Sequence, residues 1–335
     1  MTDMQQNLLD ALARCTRVLI TTHVRPDGDA LGTAAAMALG LRRHNIDSQV
    51  LLLSKLPRKY AFVLQENAID YHEVDSAWPD SLSLDSFDSL LVVDTGTWSQ
   101  LPGLREHLNG FAKPRLILDH HLTQEDWADV LLVRTDAAAA GEIAADLLKR
   151  WNVPLDKPLA TALFLAIASD TGWFQFSNTR PATLRLAADL MEVGVDTDNL
   201  YQHLYQNERA ERVALQTAAQ ESLQLLQDGR LAVMCVRKSD FEKTGGSLSD
   251  TENLINIPLQ IRTVEVSILL VEPPDGPPVR VSLRSKGQVD VARFAEKFGG
   301  GGHARASGLK IPGSLDHVRE TITSEMIKTL ETLRS

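Results

Sequence analysis

The chain has 335 residues, 44% of them hydrophobic and 23% charged, which is enough apolar material for two cores. Its formal net charge of −10 argues against a protein that grips long duplex nucleic acid through phosphates, which needs a basic surface. An enzyme acting on small phosphorylated substrates stays compatible, because bound cations neutralise carboxylates locally.

The opening segment, Met1 to Leu12, is polar and amphipathic and lacks a signal-peptide layout. Arg17–Thr22 reads as a strand and Asp29–Arg43 as a helix rich in Ala and Leu. Gln49–Leu53, Ser89–Asp94 and Arg115–Asp119 read as further buried strands, and Ala138–Trp151 and Lys157–Ser169 as helices. Continuous apolar strands separated by helices predict an α/β fold, a parallel sheet with helices on both faces. In such sheets ligands bind beyond the carboxyl ends of the strands. The longest apolar stretch, Leu159–Ala168, is too short to span a bilayer. Cys15 and Cys235 each sit within an apolar run and suit a reducing compartment, so the expected location is cytoplasmic, with no membrane partner.

Asn207–Gln227 is helical in pattern and strongly polar, as a connector would be. The expected division is a first domain over 1–195, a helical linker over 196–228 and a smaller α/β domain over 229–335. In the last, strands are expected at Arg230–Val236, Thr263–Val271 and Pro278–Arg284. The Pro273–Pro278 turn should join the final two as a hairpin. A helix over Val289–Phe298, a glycine run, a final strand and a helix from about Leu315 complete the chain.

Five constellations carry chemistry. His23-Val-Arg-Pro-Asp27-Gly-Asp29 follows the first strand. Its two carboxylates and His converge on a divalent cation if the backbone turns sharply; the competing reading is a polar loop in which Asp29 caps the next helix. An EF-hand is excluded by Leu31 and Ala38, which occupy ligand positions. Asp94 ends a buried strand, where many Asp residues only cap a turn. Asp119-His120-His121 also follows a strand, and adjacent side chains on extended backbone point to opposite sides, so one His can ligate while its neighbour faces substrate. Asp170 closes an apolar helix. Together these offer a mixed oxygen and nitrogen donor set suited to Mn²⁺, with Mg²⁺ or Co²⁺ as alternatives, rather than to thiolate-bound zinc. Two ions about 3.5–4 Å apart can activate water and clamp a phosphoryl group. In the second domain, Gly299, Gly300, Gly301 and Gly302 precede His303, Arg305 and Ser307. Such a run exposes backbone N–H groups as an anion nest; the competing reading is a flexible loop. Ser282 and Arg284 alternate on a strand and can face the same ligand, or Arg284 can form a surface salt bridge.

These motifs, in this order, resemble those of the DHH phosphoesterase superfamily in its DHH–DHHA1 branch, most closely the bacterial oligoribonucleases (nano-RNases) that also act on 3′-phosphoadenosine 5′-phosphate (pAp). The resemblance covers nearly the whole chain and implies a DHH domain followed by a DHHA1 domain with a cleft between them. It implies that His23, Asp27 and Asp94 hold one ion and that Asp29, Asp94, His120 and Asp170 hold the other. It further implies that His121 contacts the scissile phosphate, that Asp119 orients a His, and that Arg284, His303 and the glycine loop hold the far nucleotide or terminal phosphate. Asp136-Ala-Ala-Ala-Ala-Gly-Glu142 departs from relatives that carry Ser or Thr before the Glu. By family analogy alone, a homodimer through the first domain is expected.

The resulting expectation is a two-metal phosphoesterase that hydrolyses short oligoribonucleotides and pAp to mononucleotides. The alternatives are a phosphodiesterase for linear dinucleotides (pApA or pGpG), an inorganic pyrophosphatase, and a sensor that binds a nucleotide without turnover. The glycine loop favours nucleotides over pyrophosphate, and a sensor has no need of a full two-metal ligand set.

Overall fold

Six short strands build the first sheet: β1 (Arg17–Thr21), β2 (Asp47–Leu52), β3 (Tyr71–Glu73), β4 (Ser89–Val93), β5 (Arg115–Asp119) and β6 (Val130–Val133). In this computed structural model, which describes residues 2–74, 77–79 and 81–332, they run in the order β3-β2-β1-β4-β5-β6 with every neighbouring pair parallel. Side chains alternate between two apolar layers. Val18, Ile20, Val50, Leu52, Leu91, Val93, Leu116 and Leu118 enter one, and Leu19, Leu51, Leu90, Val92 and Ile117 the other. Burial on both faces is why these strands read as unbroken apolar runs.

The first layer is covered by α1 (Thr2–Leu12), α2 (Gly28–Arg43), α3 (Ala61–Gln65), and, further along the chain, α5 (Ala140–Arg150) and α6 (Lys157–Asp170). The second is covered by α4 (Leu104–His107) and by segments contributing Leu82, Phe87, Leu101 and Trp127. Helices α7 (Pro181–Glu192) and α8 (Thr197–Tyr205) complete this unit, which ends at Asn207. Strand β1 pairs with both β2 and β4, so the chain changes its direction of progress across the sheet there. The crevice at the carboxyl ends of β1 and β4 is where such sheets bind ligands.

The second unit begins at Glu208. Its sheet has the order β11-β12-β10-β9-β8-β7, formed by β7 (Gln224–Leu226), β8 (Leu231–Val236), β9 (Val266–Val271), β10 (Val279–Ser285), β11 (Gly301–His303) and β12 (Ala306–Ile311). Only β8 and β9 pair in parallel; β9 and β10 form the antiparallel pair expected across the proline-rich turn. One face packs on α11 (Val291–Glu296) and α12 (Leu315–Thr332), the other on α9 (Ala210–Glu221) and α10 (Lys238–Thr244). The segment expected as a linker is divided by the structure: α8 packs in the first unit, whereas α9 buries Leu215 and Ala219 against Met234, Val236 and Leu269 of the second. Cys15 and Cys235 are both buried free thiols. Among the described residues no helix is long and apolar enough to cross a membrane.

Candidate metal centre

The chain leaves β1 through His23 and turns so that Asp27 caps α2, accepting the N–H groups of Asp29 at 3.0 Å and Ala30 at 3.1 Å. The capping role weighed for Asp29 therefore falls to Asp27, and Asp29 lies inside the first turn, fully buried. Its carboxylate accepts the N–H groups of Ala140 at 2.6 Å and Gly141 at 3.0 Å, the first residues of α5, and the Thr33 hydroxyl at 3.0 Å. A helix N-terminus is a natural seat for a buried carboxylate.

Asp94 follows β4 in a left-handed conformation, φ 61°, which non-glycine residues keep only where the surroundings enforce it. Only 3% exposed, it sits among the histidines. Its Oδ2 lies 3.5 Å from His23 Nε2 and its Oδ1 3.4 Å from His120 Nε2. His23 Nε2 is also 3.9 Å from Asp27, and His120 Nε2 is 3.6 Å from Asp170 and 3.8 Å from Asp29. Three overlapping groups result: His23, Asp27 and Asp94; Asp29, His120 and Asp170; and Asp94, His120 and His121. Both rings are fixed from behind, His23 Nδ1–H donating to the Val24 carbonyl at 3.0 Å and His120 Nδ1–H to the Ala137 carbonyl at 3.3 Å. Each Nε2 is thereby turned into the cluster.

The donor set fits divalent ions. Asp94 Oδ1 and His120 Nε2 are buried with no hydrogen-bond partner among the described residues, a costly arrangement unless something else binds them. Separations of 3.4–3.9 Å are too wide for hydrogen bonds but suit donors that share an ion at about 2.0–2.2 Å from each. The electrostatics agree. Burial works to lower the pKa of both histidines, yet Asp27 and Asp94 push His23 up to about 10, and Asp94 with Asp29 and Asp170 pushes His120 up to about 10. Burial raises Asp170 to about 6, with Asp94 adding to the rise against the opposing His120, and burial with Asp94 raises Asp29. So many carboxylates at one sheet edge demand positive charge, from protons or from metal ions.

His121 stays beside the cluster, its ring centroid 4.5 Å from that of His120 and its Nδ1 3.8 Å from Asp94 Oδ1, but it is half exposed. Its Nδ1 is 2.8 Å from Asp119 Oδ1, and the same oxygen accepts the backbone N–H groups of His120 and His121. Hydrogen bonds from His121 raise the pKa of its ring and lower that of Asp119 in spite of Asp119's burial. Gln124, which no sequence pattern singled out, donates to Asp119 Oδ2 at 2.5 Å and to the His121 carbonyl at 3.0 Å. This arrangement fixes the ring through Nδ1 and leaves Nε2 without a hydrogen bond among those described.

In the second unit the glycine run is a hairpin rather than an open loop, Gly301 to His303 pairing with Ala306 to Gly308. Gly302, at φ 144°, is required by the hairpin itself, since a Cβ there would stand 2.5 Å from the Ala306 carbonyl oxygen. Gly301, Gly302, His303 and Arg305 are exposed, and Gly300 is half-buried. Ser307 does not join them: it is buried and its hydroxyl donates to the Val291 carbonyl at 2.6 Å. Arg305 reaches Ser285 Oγ at 3.4 Å. Arg284 is half-buried, donates to the Leu283 carbonyl at 3.1 Å, and has its pKa lowered by burial.

The model of the DHH family N-terminal domain matches residues 17–167 and that of the DHHA1 domain residues 205–331. The bifunctional oligoribonuclease and PAP phosphatase NrnA of Bacillus subtilis (strain 168) is 26% identical over 311 residues, which cover 92% of this chain and 93% of that protein. The crystal structure of an exopolyphosphatase-related protein from Bacteroides fragilis aligns with a TM-score of 0.85 at 21% identity, covering 99% of this chain and 98% of that one. Exonuclease RecJ bound to manganese aligns with a TM-score of 0.54 at 14% identity, covering 96% of this chain and 92% of that one.

Proposed function

The chain belongs to the DHH family, with a DHHA1 domain behind its DHH domain, and on that premise we propose that it hydrolyses phosphoester bonds in short oligoribonucleotides and in pAp, releasing mononucleotides. One observation carries the two-ion part of this reading. The Asp94 carboxylate turns one oxygen to each of two histidines that belong to different ligand groups. On this reading His23, Asp27 and Asp94 hold one ion, and Asp29, Asp94, His120 and Asp170 the other. Two such ions supply Lewis acidity and an activated water when bound.

The remaining roles belong to the chain. Asp119 and Gln124 hold His121, whose Nε2–H donates to a phosphoryl oxygen as charge develops on it. Arg284, His303, Arg305 and the backbone of Gly300, Gly301 and Gly302 bind a terminal phosphate or the far nucleotide. Mn²⁺ is the preferred ion, because oxygen donors mixed with imidazole suit it. Long duplexes are poor ligands for a chain of net charge −10. A homodimer and a cytoplasmic location complete the proposal.

The test is a substrate panel with Mn²⁺: RNA dinucleotides and longer oligomers, pAp, pApA and pyrophosphate. Hydrolysis of the dinucleotide and pAp, abolished in Asp94→Ala protein, is the expected result. Undiminished hydrolysis by pure Asp94→Ala protein would sink the two-ion reading, and pyrophosphate cleaved in preference to nucleotides would sink the substrate assignment.

A further inference from the structure

Glu142 lies in the first turn of α5, 4% exposed, and takes no part in the ligand groups above. A buried carboxylate needs compensation, and three partners give it: the Arg180 guanidinium at 2.6 Å, the Ala138 N–H at 3.1 Å, and the Thr183 hydroxyl. Arg180 also pairs with Asp136 at 3.0 Å, and its backbone N–H donates to Thr183 Oγ1 at 3.2 Å. These bonds fasten residues 136–141 to the start of α7.

That fastened stretch touches two of the candidate ligands and is tied to the backbone of a third through Asn178. The Ala137 carbonyl accepts from His120 Nδ1, and the Ala140 and Gly141 N–H groups hold Asp29. The Ala138 carbonyl accepts from Asn178 Nδ2 at 3.0 Å, and the same nitrogen donates to the Asp170 carbonyl at 3.1 Å. Asp29, His120 and Asp170 are one complete ligand group. His23 and Asp27, of the other group, have no hydrogen bond to this stretch among those described.

We propose that the Glu142–Arg180 pair is a positioning device for one ion alone, setting the spacing of Asp29, His120 and Asp170. The proposal rests on the two-ion reading of the site. Removing the charge of Glu142 leaves every ligand in place but frees the stretch that orients Asp29 and His120 and that is linked to Asp170 through Asn178. Loss of a partner that orients metal ligands typically weakens binding by roughly 10–100-fold.

The experiment is a calorimetric Mn²⁺ titration of full-length wild type, Glu142→Gln and Arg180→Gln, with folding checked by circular dichroism. The wild type is expected to bind two ions. Both variants are expected to bind one ion as the wild type does and the other roughly 10–100-fold more weakly. Turnover should then recover when Mn²⁺ is raised. Glu142→Gln removes the buried charge and leaves only the partly exposed Arg180 without its partner, so it carries the test where Arg180→Gln, which leaves the buried Glu142 carboxylate uncompensated, does not fold. Two ions bound by the wild type and bound unchanged, or weakened equally, in a folded variant overturn the positioning role alone. A wild type that binds fewer than two ions overturns the two-ion reading and the positioning role with it.

Discussion

Gly32 lies where α2 meets α6, the two helices that carry Asp29 at one end and Asp170 at the other. A Cβ at residue 32 would stand 2.5 Å from the Ala162 carbonyl oxygen, 2.8 Å from the Ala166 nitrogen and 3.0 Å from the Ala166 Cβ. The first two are backbone atoms and cannot swing aside. With ordinary contact near 3.5 Å, Gly32→Ala forces the helices apart by roughly 0.5–1 Å. Overpacking of this kind costs about 1–3 kcal/mol, while alanine gains about 0.5–1 kcal/mol over glycine within a helix. The net expectation is a destabilisation of roughly 1–2 kcal/mol, or about 2–8 °C for a unit of this size. All five tryptophans lie in the first unit, so intrinsic fluorescence during thermal or urea unfolding follows that unit alone. The variant should also bind Mn²⁺ more weakly, because Asp29 moves relative to Asp170. An unchanged or raised midpoint would refute the reasoning, since helix propensity alone gives that sign.

Three further outcomes follow from the site. With ions absent, Asp27 and Asp94 on His23, and Asp94 with Asp29 and Asp170 on His120, outweigh burial and hold each ring at a pKa of about 10. These raised values contribute stability that is present below about pH 6.5 and is lost as pH climbs through about 10. The ion-free first unit should therefore weaken across that window while ion affinity rises. Because ligating imidazoles must be neutral, Mn²⁺ binding at pH 8 should release about two protons, read from the buffer dependence of the calorimetric enthalpy; a heat independent of buffer would contradict this. His121→Ala should lower kcat by roughly 10²–10³-fold with Mn²⁺ stoichiometry preserved, and a loss smaller than tenfold would remove His121 from the reaction.

The central strands of the first sheet were legible because both faces are covered, which makes them continuous apolar runs. Strands β3 and β6 were not: they are three and four residues long and mostly half-buried, so their sequence carries little pattern. The polar helix at 207–227 looked like a connector because only Leu215 and Ala219 of α9 are buried, too few to betray an apolar stripe. At the site, chemistry-bearing residues directly after strands announced themselves by position. The backbone N–H groups of Ala140 and Gly141 that hold Asp29 could not, because a backbone donor leaves no mark on residue type. Gln124, and the link of Glu142 to the site, escaped for a different reason: each acts on the site through a partner that only the folded chain brings near.

The candidate ligands are scattered from His23 to Asp170, across several crossovers of a parallel sheet. On the two-ion reading, neither ion can be held until distant segments have met, and such non-local pairing is slow to form. Ion occupancy would then act as a late seal on folding. Ions that bind only the finished unit add about 2.7 kcal/mol of stability when the free ion stands at 100 times its Kd. For a protein so built, metal starvation and misfolding are one hazard, and a cell short of the ion would lose the polypeptide as well as its activity.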